Sequence, residues 1–448
     1  MASTPDEILS IADSSSVKLV RFLYCDTSGI IRGKTTHVGR LKDRIAAGIG
    51  LVKGMMAMNL LDQLQTATGL GAVGEVRLVP DLSTFVVLPY SAASASFICN
   101  LLELNRTPWS LCPRTALIRQ SDEAEAMDIR FEAAFEPEFT LGIADGGDFH
   151  PIDRSLCFAT DGMNRASKFV NSFVEALERQ GILVEQYYPE LGHGQHEVSI
   201  RHAPALAAAD RQIWYRETLR GVALEHGLEA SLAPKPFSDQ PGNGCHLHIS
   251  AWDKDSGKNL FWSPEGLTAF GLNFVAGILE HLPAIVALTC ASVNSYRRLK
   301  PRCWSSAYVC WGYENREAAV RVPSVYWGQE TATTNLEIKS VDSSCNPYLA
   351  LAVVIAAGLD GVKRKLSAPE PFDADPGVLS PAELEQRLVK RLPTSLKEAL
   401  VALEKDATIV ETLGAELART YLTVKYSECG AFASEDEQFE LVNHRTKF

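Results

Sequence analysis

Three stretches of the chain alternate so as to put reactive side chains on one face of a strand. In Phe131-Glu-Ala-Ala-Phe-Glu-Pro-Glu-Phe-Thr140, successive strand side chains point to opposite sides. Glu132, Glu136 and Glu138 therefore share one face, and Phe131, Phe135 and Phe139 share the other. Gly244-Cys-His-Leu-His-Ile-Ser250 sets His246, His248 and Ser250 against Leu247 and Ile249. Thr333-Thr-Asn-Leu-Glu-Ile-Lys339 sets Asn335, Glu337 and Lys339 against Leu336 and Ile338. A fourth stretch, Glu190-Leu-Gly-His-Gly-Gln-His-Glu197, carries an acid at each end of a glycine-containing turn, which can fold back and bring both carboxylates to one point.

One amphipathic strand with a wet face is ordinary. Four acidic or imidazole-bearing faces are not, because clustered carboxylates repel unless a cation sits between them. Oxygen-rich sets with one imidazole suit Mg²⁺ or Mn²⁺ better than zinc, and no two of the ten cysteines are spaced Cys-x-x-Cys. Guanidinium groups are supplied by Asn294-Ser-Tyr-Arg-Arg-Leu-Lys-Pro-Arg302 and Asn315-Arg-Glu-Ala-Ala-Val-Arg321. Their forks match phosphate and carboxylate. Lys300 and Arg302 read as solvated surface. Cations beside a divalent-metal cage are the equipment for holding a transferring phosphoryl group.

These faces need a large fold to hold them. The 448 residues are enough for two or three domains, and 46% hydrophobic with 22% charged residues is a globular composition. A net charge of −12 argues against nucleic-acid or anionic-membrane partners. Val17–Phe22, the turn Cys25-Asp-Thr-Ser-Gly and Ile30–Lys34 read as a hairpin, and Val76–Pro89 as a second β segment, so the first hundred or so residues form a small sheet-rich domain. Helices are expected at Ala166–Gln180, Arg211–His226 and Ala382–Tyr421, with Asp373–Pro381 an exposed loop. The apolar stretches Phe270–Val293 and Tyr348–Leu359 read as buried helices, and the acidic start Met-Ala-Ser-Thr-Pro-Asp-Glu lacks a signal-peptide pattern, which suggests a cytoplasmic protein. Gly69-Leu-Gly-Ala-Val-Gly leads into a strand instead of out of one, and Gly33-Lys-Thr lacks its upstream glycine, so neither is a phosphate loop.

Taken together, Phe135-Glu-Pro-Glu-Phe, Gly194-Gln-His-Glu, Gly242-Asn-Gly-Cys-His-Leu-His, Asn294-Ser-Tyr-Arg-Arg-Leu, Asn315-Arg to Arg321-Val-Pro and Asn346-Pro-Tyr-Leu resemble the glutamine synthetase family in order and spacing over nearly the whole chain. The resemblance implies an α+β fold: a β-grasp N-terminal domain over residues 1–108 and a catalytic domain of curved antiparallel sheet with helices over residues 109–448. It also implies a homo-oligomeric double ring, such as a dodecamer, with active sites shared between neighbouring subunits. Carried over by motif, Glu138, Glu190 and Glu197 hold one metal, and Glu136, His246 and Glu337 the other, out of two or three Mg²⁺ or Mn²⁺ per site. Arg298 and Arg316 hold the glutamate carboxylate and the phosphoryl group, with Arg321 beside the phosphates and Gly242 at the substrate. Glu185, His248, Ser250 and Lys339 line the ATP pocket. The implied chemistry is attack of the glutamate γ-carboxylate on ATP, then attack of an amine on the acyl phosphate.

The chain departs from the family pattern where ammonium is bound. Lys53 stands in the N-terminal stretch where the family has an acid, and Trp304 stands on the flap after the Asn294 motif, where no Asp or Glu lies between Tyr296 and Tyr313. An indole, Cys303 and one of Met55, Met56 or Met58 favour a neutral, partly apolar amine over a hydrated cation. Lys53 would repel a polyamine. The expectation is therefore a ligase that joins glutamate to a primary alkyl or aryl amine. An ordinary glutamine synthetase drawing its acid from Asp62 or Glu75 is the alternative, and a non-catalytic assembly or regulatory homologue the third.

Overall fold

Alternating segments in the N-terminal quarter build a six-stranded sheet in the order Ile31–His37, Leu19–Cys25, Ser94–Leu102, Glu75–Pro80, Ile49–Val52, with Val86–Val87 added beside Ser94–Leu102. Leu19–Cys25 and Ile31–His37 form the expected hairpin, and Leu19–Cys25 runs parallel to Ser94–Leu102, giving the β-grasp arrangement. The structure is a computed structural model that describes residues 4–145 and 148–448, so the first residues of the acidic start, Met1–Ser3, lie outside the described part. The helices Pro5–Ser14 and Leu41–Ala47 cover a core of Val20, Phe22, Met56, Leu78 and Phe97. Met56 is fully buried there, whereas Met55 and Met58 are half-buried. The Gly69–Gly74 stretch precedes the strand Glu75–Pro80 and opens no helix.

A ten-stranded sheet forms the larger part of the molecule. At its centre the 17-residue strand Ile129–Asp145 lies antiparallel between Cys245–Asp253 and Gln195–Ile200, with Leu336–Ile338, Val320–Val322 and Trp311–Tyr313 beyond one and Val184–Pro189 beyond the other. Phe131, Phe135 and Phe139 turn into the core, as the alternation requires. Helices Thr160–Arg179, Ala205–Glu225, Ala269–Thr289 and Pro347–Arg364 pack over that apolar side. Ala269–Thr289 is long and apolar enough to cross a bilayer, yet 78% of its most apolar window is buried inside the fold, so it is a core helix.

Two segments differ from expectation. Ala382–Tyr421 is not one helical run but Pro381–Gln386, the short strand Lys390–Arg391, and Leu396–Lys405, Ala407–Leu413 and the start of Ala415–Ala433. Pro393, the N-cap Asp406 and Gly414 at φ +82° supply the breaks. Asp373–Pro381 is only partly exposed: Pro376 is buried, and the preceding Phe372 packs with Ala307, Tyr308, Cys310 and Ala318.

The two sheets are joined by the tip of the first hairpin. Asn346 Nδ2 donates to Asp26 O at 2.9 Å, Arg216 Nη2 to Gly29 O at 2.8 Å, and Ser28 Oγ to Glu428 Oε1 at 2.7 Å. Gly29, at φ +84°, lies so close that a Cβ there would sit 2.3 Å from Ser344 O. Only glycine fits both constraints.

Candidate active site

Strand register places the acids. Glu138 sits opposite Glu197, and its N–H donates to Gly244 O at 3.0 Å. The Glu190–Glu197 turn does fold back: Glu190 N donates to Gln195 O at 2.8 Å, with Gly194 at φ +63° against Leu141 O. Glu138 and Glu197 are buried, and Glu190 is half-buried. Among the described residues, none of the three is ion-paired. Their partners are neutral: Gly244 N and Gln195 Nε2 for Glu138, at 2.9 and 2.8 Å, and Tyr188 OH and Ser199 Oγ for Glu197, at 2.5 and 2.8 Å. Burial, then repulsion from the neighbouring acids, pushes Glu197 well above the usual carboxylate range and Glu190 up to about 7. Burial raises Glu138 as well, despite the Gly244 N–H and the Arg298 charge. Three acids held against their own charge are the donor chemistry a divalent cation calls for, but among the described residues their ligand atoms are not drawn within 4.8 Å of one another as those of the second group are.

A second group stands one strand away. One ligand atom each from Glu136, His248 and Glu337 lie within 4.8 Å of one another. His248 Nε2 is 3.1 Å from Glu136 Oε2, and its Nδ1 is 2.8 Å from Asn335 Oδ1. Burial alone would lower His248, but Glu136 and Glu337 outweigh it and lift the imidazole to about 9. His246 lies directly opposite Glu136 in register, with Nδ1 3.5 Å from Glu337 Oε1. Its Nε2 faces Lys339 Nζ at 3.4 Å, so it is His248, and not the expected His246, that the structure gathers with the Glu136–Glu337 pair. Glu337 also meets Arg321 Nη1 at 2.5 Å and Lys339 Nζ at 3.2 Å. Burial would raise it, but Lys339, His246, His248 and Arg321 hold it well below the ordinary range.

The glycines of Gly242-Asn-Gly have a local reason. Asn243 is locked by Thr140 Oγ1 and by the carbonyls of Ser231 and Ala233. A Cβ on Gly244 would lie 2.8 Å from His246 Nε2, 3.2 Å from Glu138 and 3.3 Å from Arg298, so only a bare backbone lets these groups meet. Arg298 is buried, donates to Val341 O at 2.8 Å and keeps Nε without a partner; Arg321 Nε is likewise buried and open. Arg316 is exposed, near enough to Glu190 to favour its charge.

Other expected residues sit apart. Glu185 is exposed on the edge strand and paired with Arg201 at 2.5 Å. Ser250 is buried farther along the histidine strand, accepting from Trp252 Nε1. Lys53 opens the short helical turn that follows the strand Ile49–Val52, 2.6 Å from Glu103 and over the Trp109 ring, so its charge is neutralised locally. Asp62 is tied to Arg32 at 2.7 Å and Glu75 is paired with Arg77 at 3.4 Å. Trp304 projects from its loop, 55% exposed. The sequence reading missed Gln195, Tyr188 and Glu317. Gln195 was findable, since it shares a strand face with Glu197; Tyr188 and Glu317 become visible only through register and loop packing.

Comparison with known proteins gives concordant matches. The glutamine synthetase N-terminal domain model matches residues 6–109, and the glutamine synthetase catalytic domain model matches residues 110–444. A gamma-glutamylpolyamine synthetase of Streptomyces coelicolor is 38% identical over 432 residues, covering 95% of this chain and 92% of the relative. A glutamine synthetase of Methanocaldococcus jannaschii is 32% identical over 453 residues, covering 98% of each. A crystal structure described as a novel glutamine synthase homolog superposes with a TM-score of 0.86 at 33% identity, covering 96% of this chain and 99% of that one.

Proposed function

The chain belongs to the glutamine synthetase family of carboxylate–amine ligases, and we propose that it joins the γ-carboxylate of glutamate to a primary amine other than ammonia. The observation that carries this is the contrast between a face of five buried or half-buried acids, Glu136, Glu138, Glu190, Glu197 and Glu337, and a flap that offers an exposed indole, Trp304, where an ammonium ion would need a carboxylate.

In this reading the γ-carboxylate oxygen attacks the terminal phosphorus of ATP and ADP leaves. The amine nitrogen then attacks the acyl carbon, phosphate departs, and the nitrogen gives up a proton; the products are the γ-glutamyl amide, ADP and phosphate. Glu138, Glu190 and Glu197 would hold one divalent ion, and Glu136, His246 and Glu337 another, with His248 alongside. Mg²⁺ or Mn²⁺ bound there would supply charge neutralisation and alignment of phosphate oxygens. Arg298 and Arg321 each keep a buried, open N–H for an anionic oxygen, and Arg316 is free to reach one from the surface. Glu185, Ser250 and Lys339 would bound the nucleotide, and Gly242 the glutamate. Lys53 would meet the acceptor from the N-terminal domain of a neighbouring copy in a ring. Because Glu103 neutralises it, that side admits polyamines, the acceptor class named for the Streptomyces relative, as well as alkyl and aryl amines.

Phosphate release with glutamate and ATP, comparing ammonia with a panel of alkyl, aryl and polyamines, tests the proposal. A primary amine should outperform ammonia in kcat/KM; ammonia as the best acceptor at millimolar concentration overturns it. That outcome would favour ordinary glutamine synthesis, the activity named for the archaeal relative that matches 98% of this chain.

A further inference from the structure

One buried carboxylate beside the site takes no part in the reaction as described. Glu317 follows Arg316 on the connection between Trp311–Tyr313 and Val320–Val322, and is 5% exposed. Its Oε1 accepts the Trp304 N–H at 2.7 Å, the Arg302 backbone N–H also favours its charge, and among the described residues no other hydrogen bond reaches its buried Oε2. Lys339 and Asp375 are the other charged groups that act on it.

Around this contact the flap takes an unusual path. Arg302, Trp304 and Ser306 have φ values of +58°, +52° and +62°, so three non-glycine residues at alternate positions lie in the left-handed region. Such a path persists only where outside contacts over-determine it. Three anchors are visible. Ser305 Oγ donates to Arg298 O at 2.8 Å, Ser306 Oγ donates to Ala318 O at 2.8 Å, and Glu317 takes the Trp304 N–H. The flap is thus tied to both arginine-bearing segments, and the one anchor that touches Trp304 itself is a carboxylate, whose hydrogen bond to an N–H is charge-assisted.

We propose that Glu317 is a positioning residue for the acceptor side: it pins the Trp304 backbone to the Arg316 segment and so sets where the indole stands and which amine is accepted. This rests on the reading that Trp304 faces the acceptor. On this proposal Glu317 acts through Trp304 and contacts none of the three substrates.

The test pairs hydrogen exchange with kinetics in the full-length protein. In Glu317→Ala, exchange at the Trp304 amide should quicken and the KM for the preferred amine should rise about tenfold, while the KM values for ATP and glutamate stay within about twofold. Glu317→Gln keeps an acceptor oxygen and should restore both protection and amine KM. Unchanged exchange in Glu317→Ala overturns the proposal. So does Glu317→Gln that regains protection but not amine KM, since the charge would then act on the amine directly, and so does an equal loss for all three substrates. If Glu317→Ala does not fold, Glu317→Ser, too short to reach the Trp304 N–H, gives the same comparison. Exchange needs no substrate, so the anchoring is tested even if ammonia proves the better acceptor and the amine reading falls.

Discussion

Two buried polar networks in this molecule look alike in composition and differ in charge balance. At the tip of the first hairpin each carboxylate has a cation: Asp26 meets Arg32 at 2.6 Å, and Glu428 meets Lys425 at 2.9 Å while accepting from Ser28 Oγ and Leu60 N. At the sheet face Glu138, Glu190 and Glu197 have hydroxyls, an amide and backbone N–H groups only. In the first network both carboxylates are paired, and the network joins the two sheets. The second is incomplete, and its deficit is what a ligand would make good. Burial of charge marks structure where partners are built in and function where they are left out.

The largest effect should come from breaking the paired network. Glu428→Ala leaves Lys425 buried and unpaired, and should cost about 3–5 kcal/mol in denaturant unfolding. The incomplete network should respond in the opposite sense. Glu197→Gln should lower metal-dependent activity by more than about 100-fold, the upper end for a partner one shell out, yet leave the metal-free protein no less stable than wild type, since a repelling charge is gone. A stability loss there matching that of Glu428→Ala would erase the distinction. Saturating Mn²⁺ should raise thermal stability by roughly 2.7 kcal/mol at a concentration of 100 Kd, and Glu197→Gln should lose most of that gain.

A third buried polar group sharpens the contrast through pH. His444 is buried between Phe432 and Phe448, with Nδ1 on Glu440 O at 2.7 Å and Nε2 without a partner, and burial lowers it to about 4. Its folded value lies below the unfolded one, so the unfolded chain takes up the proton first. Its share of stability is full above about pH 6.5 and is lost as the pH falls toward 4, reaching about 2 kcal/mol at pH 5. A pH series of unfolding midpoints should show that decline in wild type and a shallower one in His444→Gln. The smallest effect belongs to the exposed side of the site: Trp304→Ala should shift the ratio of kcat/KM between amines by about tenfold while moving glutamate and ATP little.

Alternation made the reactive strands readable, because a period of two assigns a face to each of Glu136, Glu138, His246, His248, Glu337 and Lys339 without reference to the rest of the fold. The Glu190–Glu197 reversal was readable for the same reason, with glycine marking the turn. What the sequence could not reveal were relations across register. Whether His246 or His248 lies nearer the Glu136–Glu337 pair depends on how Cys245–Asp253 is staggered against its neighbours, and diagonal neighbours have no local signature. Lys53 looked like a free charge because Glu103, which neutralises it, lies fifty residues away in sequence. The single helix expected over Ala382–Tyr421 divided at Asp406 and Gly414, where cap chemistry prevailed over apolar periodicity.

The glycine at the hairpin tip has a mechanical meaning. With its backbone wedged against the carbonyl of Ser344 and clamped by Arg216 and Asn346, the small sheet has no hinge where it enters the large one. It cannot rock like a lid on its own subunit. On the proposed reading, adjustment to acceptor size would fall to side chains and to the Trp304 loop, with the N-terminal sheet a fixed gauge.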